Sequence, residues 1–219
     1  MPSRNKQISL EETKRFFHNN MTVFVGGFMG CGTAHDIIDE IVKSKVSNLT
    51  LITSDTAFIA HGVGKLIDAR LVTKLIASHI GTNEETQKQI KEGFIQAQLV
   101  PQGTLVERIR LAKAGLGGVL TPTGIGTTAQ EGKKIICVQD REYILETPLC
   151  ADLALIQACK ADTAGNLSYN GSARNFNTTM AGAAKMTLVQ ADEIVQEGEL
   201  NSNYIHTPFV FVDYIVRTQ

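Results

Sequence analysis

The stretch "MTVFVGGFMGCGTAHDIIDEIV", Met21 to Val42, places four glycines between an apolar run and a helical pattern. Glycine inside an element costs up to about 1 kcal/mol relative to alanine, so such a cluster needs a physical reason. A ligand, a tight turn or a neighbouring backbone must come close there. "MTVFV" is rich in β-branched and aromatic residues and predicts a strand. Ile37, Ile38, Ile41 and Val42 recur at helical spacing, with Asp39 and Lys43 set to pair on the outer face.

A strand entering a helix through glycines is the setting in which backbone N–H groups hold an anion. The dinucleotide fingerprint fails, because Gly30 and Gly32 are followed by His35 where the third glycine belongs. Gly27 and Gly32 have the spacing of a Walker-type phosphate loop, but Thr33 stands where its lysine should be. What survives is a turn that allows close approach, with tight strand–helix packing as the competing explanation.

Outward from this turn, strand-like and helix-like segments alternate. "LTLIT" (49–53), "LVTKLIAS" (71–78) and "AQLVP" (97–101) predict three further strands. Capping boxes at Ser9 to Glu12, Thr82 to Glu85 and Thr104 to Glu107 predict helix starts, the last with Leu105 and Ile109 on its apolar face. This alternation predicts an α/β fold: an open, mostly parallel sheet covered by helices. "GLGGVLTPTGIGTTAQEG" (115–132) reads as loop, and its low charge argues for a functional loop rather than disorder. "KKIICV" and "EYILE" predict a hairpin around "QDR"; "ADLALIQA" and "KMTLVQA" predict buried strands, and "FVFVDYIV" a closing one. No linker or internal repeat is visible, so residues 1–219 read as one domain.

Composition narrows the function classes. A net charge of −1 gives no electrostatic footprint for nucleic acid or an anionic membrane. The apolar runs are far short of a membrane span, and the N-terminal "MPSRNKQISLEETKRFF" has no apolar signal core, which predicts a cytoplasmic protein. Cys31, Cys137, Cys150 and Cys159 form no Cys-x-x-Cys pair, and the five histidines are scattered, so no metal site is expected and the thiols read as reduced.

The segment "NNMTVFVGGFMGCGT" (19–33) resembles the signature of the α subunit of the family I CoA-transferases, the 3-oxoacid and acetate/acetoacetate enzymes. "ASHIGTNEET", "LVPQGTLVERIR", "GLGGVLTPTGIGT", "ADLALIQACKADTAGNLSY" and "SARNFN" are similar to later blocks of that family, in the same order, from about residue 8 to about residue 200. One position departs: Ala34 stands where the signature usually has a proline that would preset the first helical turn.

The resemblance implies the CoA-transferase fold, related to that of sugar-phosphate isomerases, and transfer of CoA from an acyl-CoA to a free carboxylic acid. The implied route is ping-pong, through a glutamyl-CoA thioester. In the family the nucleophilic glutamate lies in a Ser-Glu-Asn-Gly block of the β subunit, and no such block occurs here. A β-subunit partner, in an α2β2 assembly, and inactivity of this chain alone are therefore expected. CoA or acyl-CoA enters as substrate, and no permanently bound cofactor is implied.

Gly26, Gly27, Phe28, Met29, Gly30, Cys31 and Gly32 are the expected CoA-binding positions. Gln102 follows a strand and precedes a helix, and the resemblance implies that it matches the family's active-site glutamine, the expected catalytic amide, donating to the thioester oxygen as charge develops. Ser54, Asp55, Gly117, Gly118 and Thr121 are the expected substrate pocket, with Asp55 shaping the pocket or holding a neighbour, because its charge would repel a carboxylate. Arg174 is a candidate phosphate or salt-bridge partner, and Arg108, Arg110 and Lys113 read as a solvated helix face. A sugar-phosphate isomerase of related fold and a non-catalytic acyl-CoA-binding protein are the competing functions. The first needs an acid–base pair that no cluster here supplies.

Overall fold

The computed structural model describes residues 5–219; residues 1–4, which open the segment read above for a leader, lie outside the described residues. In chain order the first half comprises β1 (Thr22–Val25), α1 (His35–Ser44), β2 (Leu49–Asp55), α2 (Gly64–Asp68), β3 (Val72–His79), α3 (Glu84–Lys91), β4 (Gln96–Leu99) and α4 (Gln102–Ala114). The second half comprises β5 (Val119–Thr121), β6 (Ile135–Val138), β7 (Arg141–Glu146), β8 (Ala151–Asp162), β9 (Leu167–Ser168), α5 (Asn177–Met180), β10 (Ala184–Val195) and β11 (Tyr214–Arg217).

Seven strands form a parallel sheet in the order β11-β10-β8-β1-β2-β3-β4, with β9 paired antiparallel to β8. Side chains alternate across it. Val23, Val25, Leu51 and Leu75 point into one core with Ile37, Ile38 and Ile41 of α1, whereas Phe24 and Ile52 point into the other, with Leu105 and Ile109 of α4 and Met180 of α5. Both faces are thereby covered, as a parallel sheet requires. Because β1 is central, the glycine turn that follows it emerges at the carboxyl edge of the sheet, where open α/β folds bind ligands.

Several expectations are corrected. The segment 115–132 contains β5 and a short 3-10 turn, Thr128–Gln130, and β5, β7 and β6 form a separate antiparallel sheet. "FVFVDYIV" contributes a strand only from Tyr214; Phe209–Phe211 is a 3-10 turn begun by Pro208, whose carbonyl takes the Phe211 N–H. α4 starts at Gln102, with the Pro101 carbonyl accepting from Leu105 N–H, so Thr104 lies within the first turn and caps nothing. Asn83, not Thr82, caps α3, its Oδ1 accepting from Thr86 N–H. Ser9 and Glu12 do exchange hydrogen bonds, but the result is the 3-10 turn Glu11–Phe16. Asp39 pairs with Lys65 and Lys43 with Glu40, rather than with each other.

An internal repeat, invisible as identity, is also present. β1 and β2 each run into a turn closed by a two-residue hairpin, Phe28 bridged to Cys31 and Phe58 bridged to His61, before a helix. α2, the helix of the second copy, was not anticipated; it is a single short stretch from Gly64 to Asp68.

Arg108 is not part of a solvated face: it is buried, its Nε donating to Thr147 O at 2.8 Å and lying 3.5 Å from Glu146. Glu146, itself buried, also takes Lys133 Nζ at 2.5 Å. Lys113 donates to Thr178 O and sits over the Phe211 ring, and only Arg110 is an exposed pair, with Glu107. Two cations thus converge on one buried carboxylate that ties α4 to the small sheet. Removing the carboxylate strands a buried guanidinium, and breaking such a pair costs about 3–5 kcal/mol. Urea unfolding of Glu146→Ala should show a loss of that order; a loss below about 1 kcal/mol, the level of an exposed pair, would contradict this role.

Candidate active site

The glycine turn is a two-residue hairpin. Phe28 N–H donates to Cys31 O at 3.0 Å and Cys31 N–H returns to Phe28 O at 2.9 Å, with Met29 and Gly30 at φ of +52° and +87°. Both central residues of such a turn need positive φ, which Gly30 meets freely. Gly26 serves a different need. A Cβ built there would fall 2.0 Å from Asn177 Oδ1, so only glycine lets the strand end lie against the segment at Asn175–Asn177.

Three of the turn's donors are turned inward. Gly26 N–H goes to Leu155 O, Gly27 N–H to Asn175 Oδ1 at 3.0 Å, and Met29 N–H to both carboxylate oxygens of Asp55 at 3.2 and 3.1 Å. The start of α1 is satisfied as well, since Gln190 Oε1 accepts from Asp36 N–H at 2.9 Å and Ile37 N–H at 3.4 Å. The N–H groups of Gly26, Gly27 and Met29 and those that open α1 are thus used within the fold, and the junction forms a rigid wall.

Three polar side chains make that wall rigid. Asn175 accepts from Gly27 and donates to Cys31 O at 3.1 Å and Ser172 O at 3.0 Å. Asn177, fully buried, donates to Gly32 O and Ala173 O and accepts from Gln157 N–H. Asp55, also buried, takes Ala57 N–H at 2.8 Å in addition to Met29, which links the first hairpin to the second. His61 of the second hairpin packs over Gly30, where a Cβ would lie 2.1 Å from its Nε2, and its ring is 4.9 Å from that of His35.

A cavity of about 600 Å³ opens against this wall, lined by Phe28, Cys31, Gln102, Gly103, Val106, Ser172, Asn175 and Phe176. Phe28 and Gln102 also line a second chamber of about 400 Å³ with Met29, Ser78 and His79. Gly103 is shared with a third groove, of about 470 Å³, that includes Thr121. The start of α4 thus forms a common wall, with Gln102 between the first two chambers. Its Nε2 donates to Ser54 Oγ at 3.4 Å, and Ser54 is in turn fixed through its carbonyl by Ser78 Oγ at 2.6 Å.

Of the residues singled out in the sequence, Phe28, Cys31 and Gln102 meet in one cavity, with Met29 in the adjoining chamber and Thr121 in the third groove. Ser54 and Asp55 are 0% and 3% exposed, so they support Gln102 and the hairpin from behind. Gly117 and Gly118 line none of these spaces. Arg174 is exposed, without an ion pair among the described residues. Asn175, Phe176, Asn177, Val106 and Gln190 escape a reading of the sequence alone. "SARNFN" carries two of the clamping amides, but nothing local distinguishes them from solvated asparagines.

Burial lowers the basicity of His35, against the opposing contact with Gly30 O and reinforced by His61. An imidazole harder to protonate in the folded state means that the unfolded chain binds more protons, so stability is complete above the unfolded value near 6.5 and falls as pH drops through it. Chemical denaturation between pH 7.5 and about 5 should show this decline, and His35→Gln should flatten it. An unchanged slope in that variant would remove His35 from the account.

Comparison with known proteins supplies the family. The family model for Coenzyme A transferase matches residues 8–218. The chain is 50% identical to the acetate CoA-transferase subunit alpha of Escherichia coli (strain K12), covering 99% of this chain and 98% of that one. It is 46% identical to the acetoacetyl-CoA:acetate/butyrate CoA transferase alpha subunit of Clostridium acetobutylicum, covering 97% and 98%. Among solved structures, an acyl-CoA transferase of E. coli O157:H7 in a thioester complex with CoA superposes with a TM-score of 0.89 at 21% identity, this chain matching 50% of that longer one over 99% of its own length. Glutaconate coenzyme A-transferase of Acidaminococcus fermentans gives 0.84 at 19% identity over 97% of this chain and 75% of that one. The two structures share the fold with this chain; the sequence relationships carry the assignment, and the chain belongs to the Coenzyme A transferase family.

Proposed function

We propose that residues 1–219 act as one α-type domain of a heteromeric, cytoplasmic CoA-transferase. It moves CoA between a short-chain acyl-CoA and a free acid of the acetate, butyrate or acetoacetate type. The observation that carries this reading is the cavity at Gln102: apolar walls from Phe28, Val106 and Phe176, the side-chain amides of Gln102 and Asn175, and no carboxylate among the described residues that line it. The attacking carboxylate is then supplied by a β subunit, in an α2β2 assembly, and CoA is a substrate rather than a resident group.

In this scheme the partner's glutamate attacks the thioester carbonyl, the C–S bond breaks, and an acyl-glutamyl anhydride and a CoA thiolate result. The thiolate attacks the glutamyl carbonyl, releasing the acyl group as a free carboxylate and leaving a glutamyl-CoA thioester. The acceptor acid reverses both steps. Negative charge develops twice on a carbonyl oxygen, and the Gln102 amide, steadied through Ser54, donates to it. Phe28 and Val106 exclude water from the anhydride, which would otherwise hydrolyse. The hairpin Gly26–Gly32 is the wall along which the pantetheine arm lies, with Thr121 further along the groove. Acetate and butyrate differ by methylenes worth about 1–3 kcal/mol each, so preference between them depends on how deep the completed pocket runs.

Coexpression with a partner carrying a Ser-Glu-Asn-Gly block should yield acetoacetate-dependent CoA exchange that neither chain shows alone. Gln102→Ala should lower kcat of the assembled enzyme by about 10²–10³-fold with its CD spectrum unchanged. Isomerase activity of the isolated chain on pentose or amino-sugar phosphates, or full activity of the Gln102→Ala assembly, would refute the proposal.

A further inference from the structure

The chamber beyond Gln102 holds one side chain that the transfer steps leave without work. Phe28, Met29, Ser78, His79 and Gln102 line its space of about 400 Å³. His79 is the last residue of β3, exposed at the carboxyl edge of the sheet, and its ring makes no hydrogen bond or ion pair among the described residues. Asp55, its register neighbour on β2, spends both carboxylate oxygens on the N–H groups of Met29 and Ala57.

The ring is nevertheless held in place. A Cβ on Gly81 would fall 2.9 Å from its Cε1 and 3.0 Å from its Nε2, and Gly81 does not have the positive φ that glycine alone favours. The glycine therefore clears space, and the imidazole packs against the backbone of the turn that follows β3. Thr82, in the same turn, donates to Ala57 O at 2.7 Å and lies 3.8 Å from Met29 Sδ, which ties this side of the chamber to the glycine hairpin.

The other side-chain donors of the chamber are committed. The Ser78 hydroxyl donates to Ser54 O at 2.6 Å, so its proton is used, and the Gln102 amide, held at Ser54 Oγ, serves the reacting carbonyl in the scheme above. Phe28 and Met29 bring no polar hydrogen in their side chains. An imidazole keeps at least one N–H donor whether neutral or protonated. None of the transfer steps moves a proton: a carboxylate attacks the thioester, a thiolate leaves, and the acceptor acid reverses both. His79 is thereby left to recognise rather than to act as acid or base. With the reacting carboxyl carbon at Gln102 and the pantetheine arm along the first cavity, the second chamber receives the rest of the acid.

We propose that His79 is a specificity-determining residue for 3-oxoacids: an imidazole N–H donates to the 3-oxo oxygen of the acid seated in the chamber, while the Gln102 amide meets its carboxyl end. This assignment rests on the transferase reading above. A saturated chain such as butyrate fills the same space against Phe28 and Met29 but offers the imidazole no acceptor.

Butyrate and acetoacetate share one carbon chain and differ by that oxygen, so the ratio of their rates tests the assignment in the enzyme assembled with its partner. CoA exchange from acetyl-CoA is followed with each acid as acceptor. His79→Phe keeps a ring over Gly81 and removes the donor. It should lower kcat/KM for acetoacetate about tenfold, the size of one hydrogen bond, and that for butyrate less than about threefold. His79→Asn retains a donor where Nδ1 stands and His79→Gln where Nε2 stands, and one of the two should recover the parent ratio to within about threefold. A ratio unmoved in His79→Phe, an equal loss on both acids, or failure of both amide variants to recover it would overturn the proposal, while exchange by the parent leaves the transferase reading standing. A loss confined to a dicarboxylic acid such as succinate would assign the donor to a distal carboxylate and overturn it too. A parent assembly that exchanges CoA with neither acid would overturn both.

Discussion

The site depends on a clamp of two side-chain amides and one buried carboxylate. Asn175 and Asn177 hold the backbone of the glycine hairpin from one side, and Asp55 holds its tip from the other. A strand end leaving a parallel sheet has donors and acceptors with no ladder to join, and burying them unpaired would cost about 1–3 kcal/mol each. Here those groups are paired with side chains from β2 and from the segment before β10, which lie far apart in sequence and meet only because β8 and β2 flank β1. The turn, the cavity wall and the strand order are one constraint.

That constraint changes the reason for the glycines. The N–H groups of Gly26, Gly27 and Met29 are spoken for within the fold, and the glycines remove side chains where Asn177, Ala173 and His61 must approach. The same hairpin is repeated after β2, with alanine at two of the positions that are glycine in the first. At the last glycine of the hairpin the second copy is looser, since a Cβ at Gly62 meets its nearest atom at 3.5 Å, against 2.5 Å at Gly32. The duplication gives the first hairpin a neighbour of matching shape to lean on, with His61 as the point of contact.

Much of the architecture was legible from the chain because hydrophobic period and turn residues act locally. β1, α1, β2, β3 and the β6–β7 hairpin lie close to where alternation and helical spacing place them. What was not legible depends on contacts across the sequence. Thr104 has a capping pattern but is overruled by Pro101, which starts the helix three residues earlier. Arg108 looks solvated until β7 brings Glu146 beside it. Asn175 and Asn177 carry no periodic signal at all, and their role exists only once the hairpin is folded against them. The place of Gln102 at a strand-to-helix junction was legible because that signal is local, and in a parallel sheet such a junction lies at the carboxyl edge.

The central claim is that this chain shapes and polarises a thioester site whose attacking carboxylate belongs to another polypeptide. Intact-mass measurement on the assembled enzyme after incubation with acyl-CoA tests it most directly. The account predicts a CoA adduct, minus water, on the partner chain and an unmodified mass for this one. A CoA thioester on any carboxylate of this chain would contradict it.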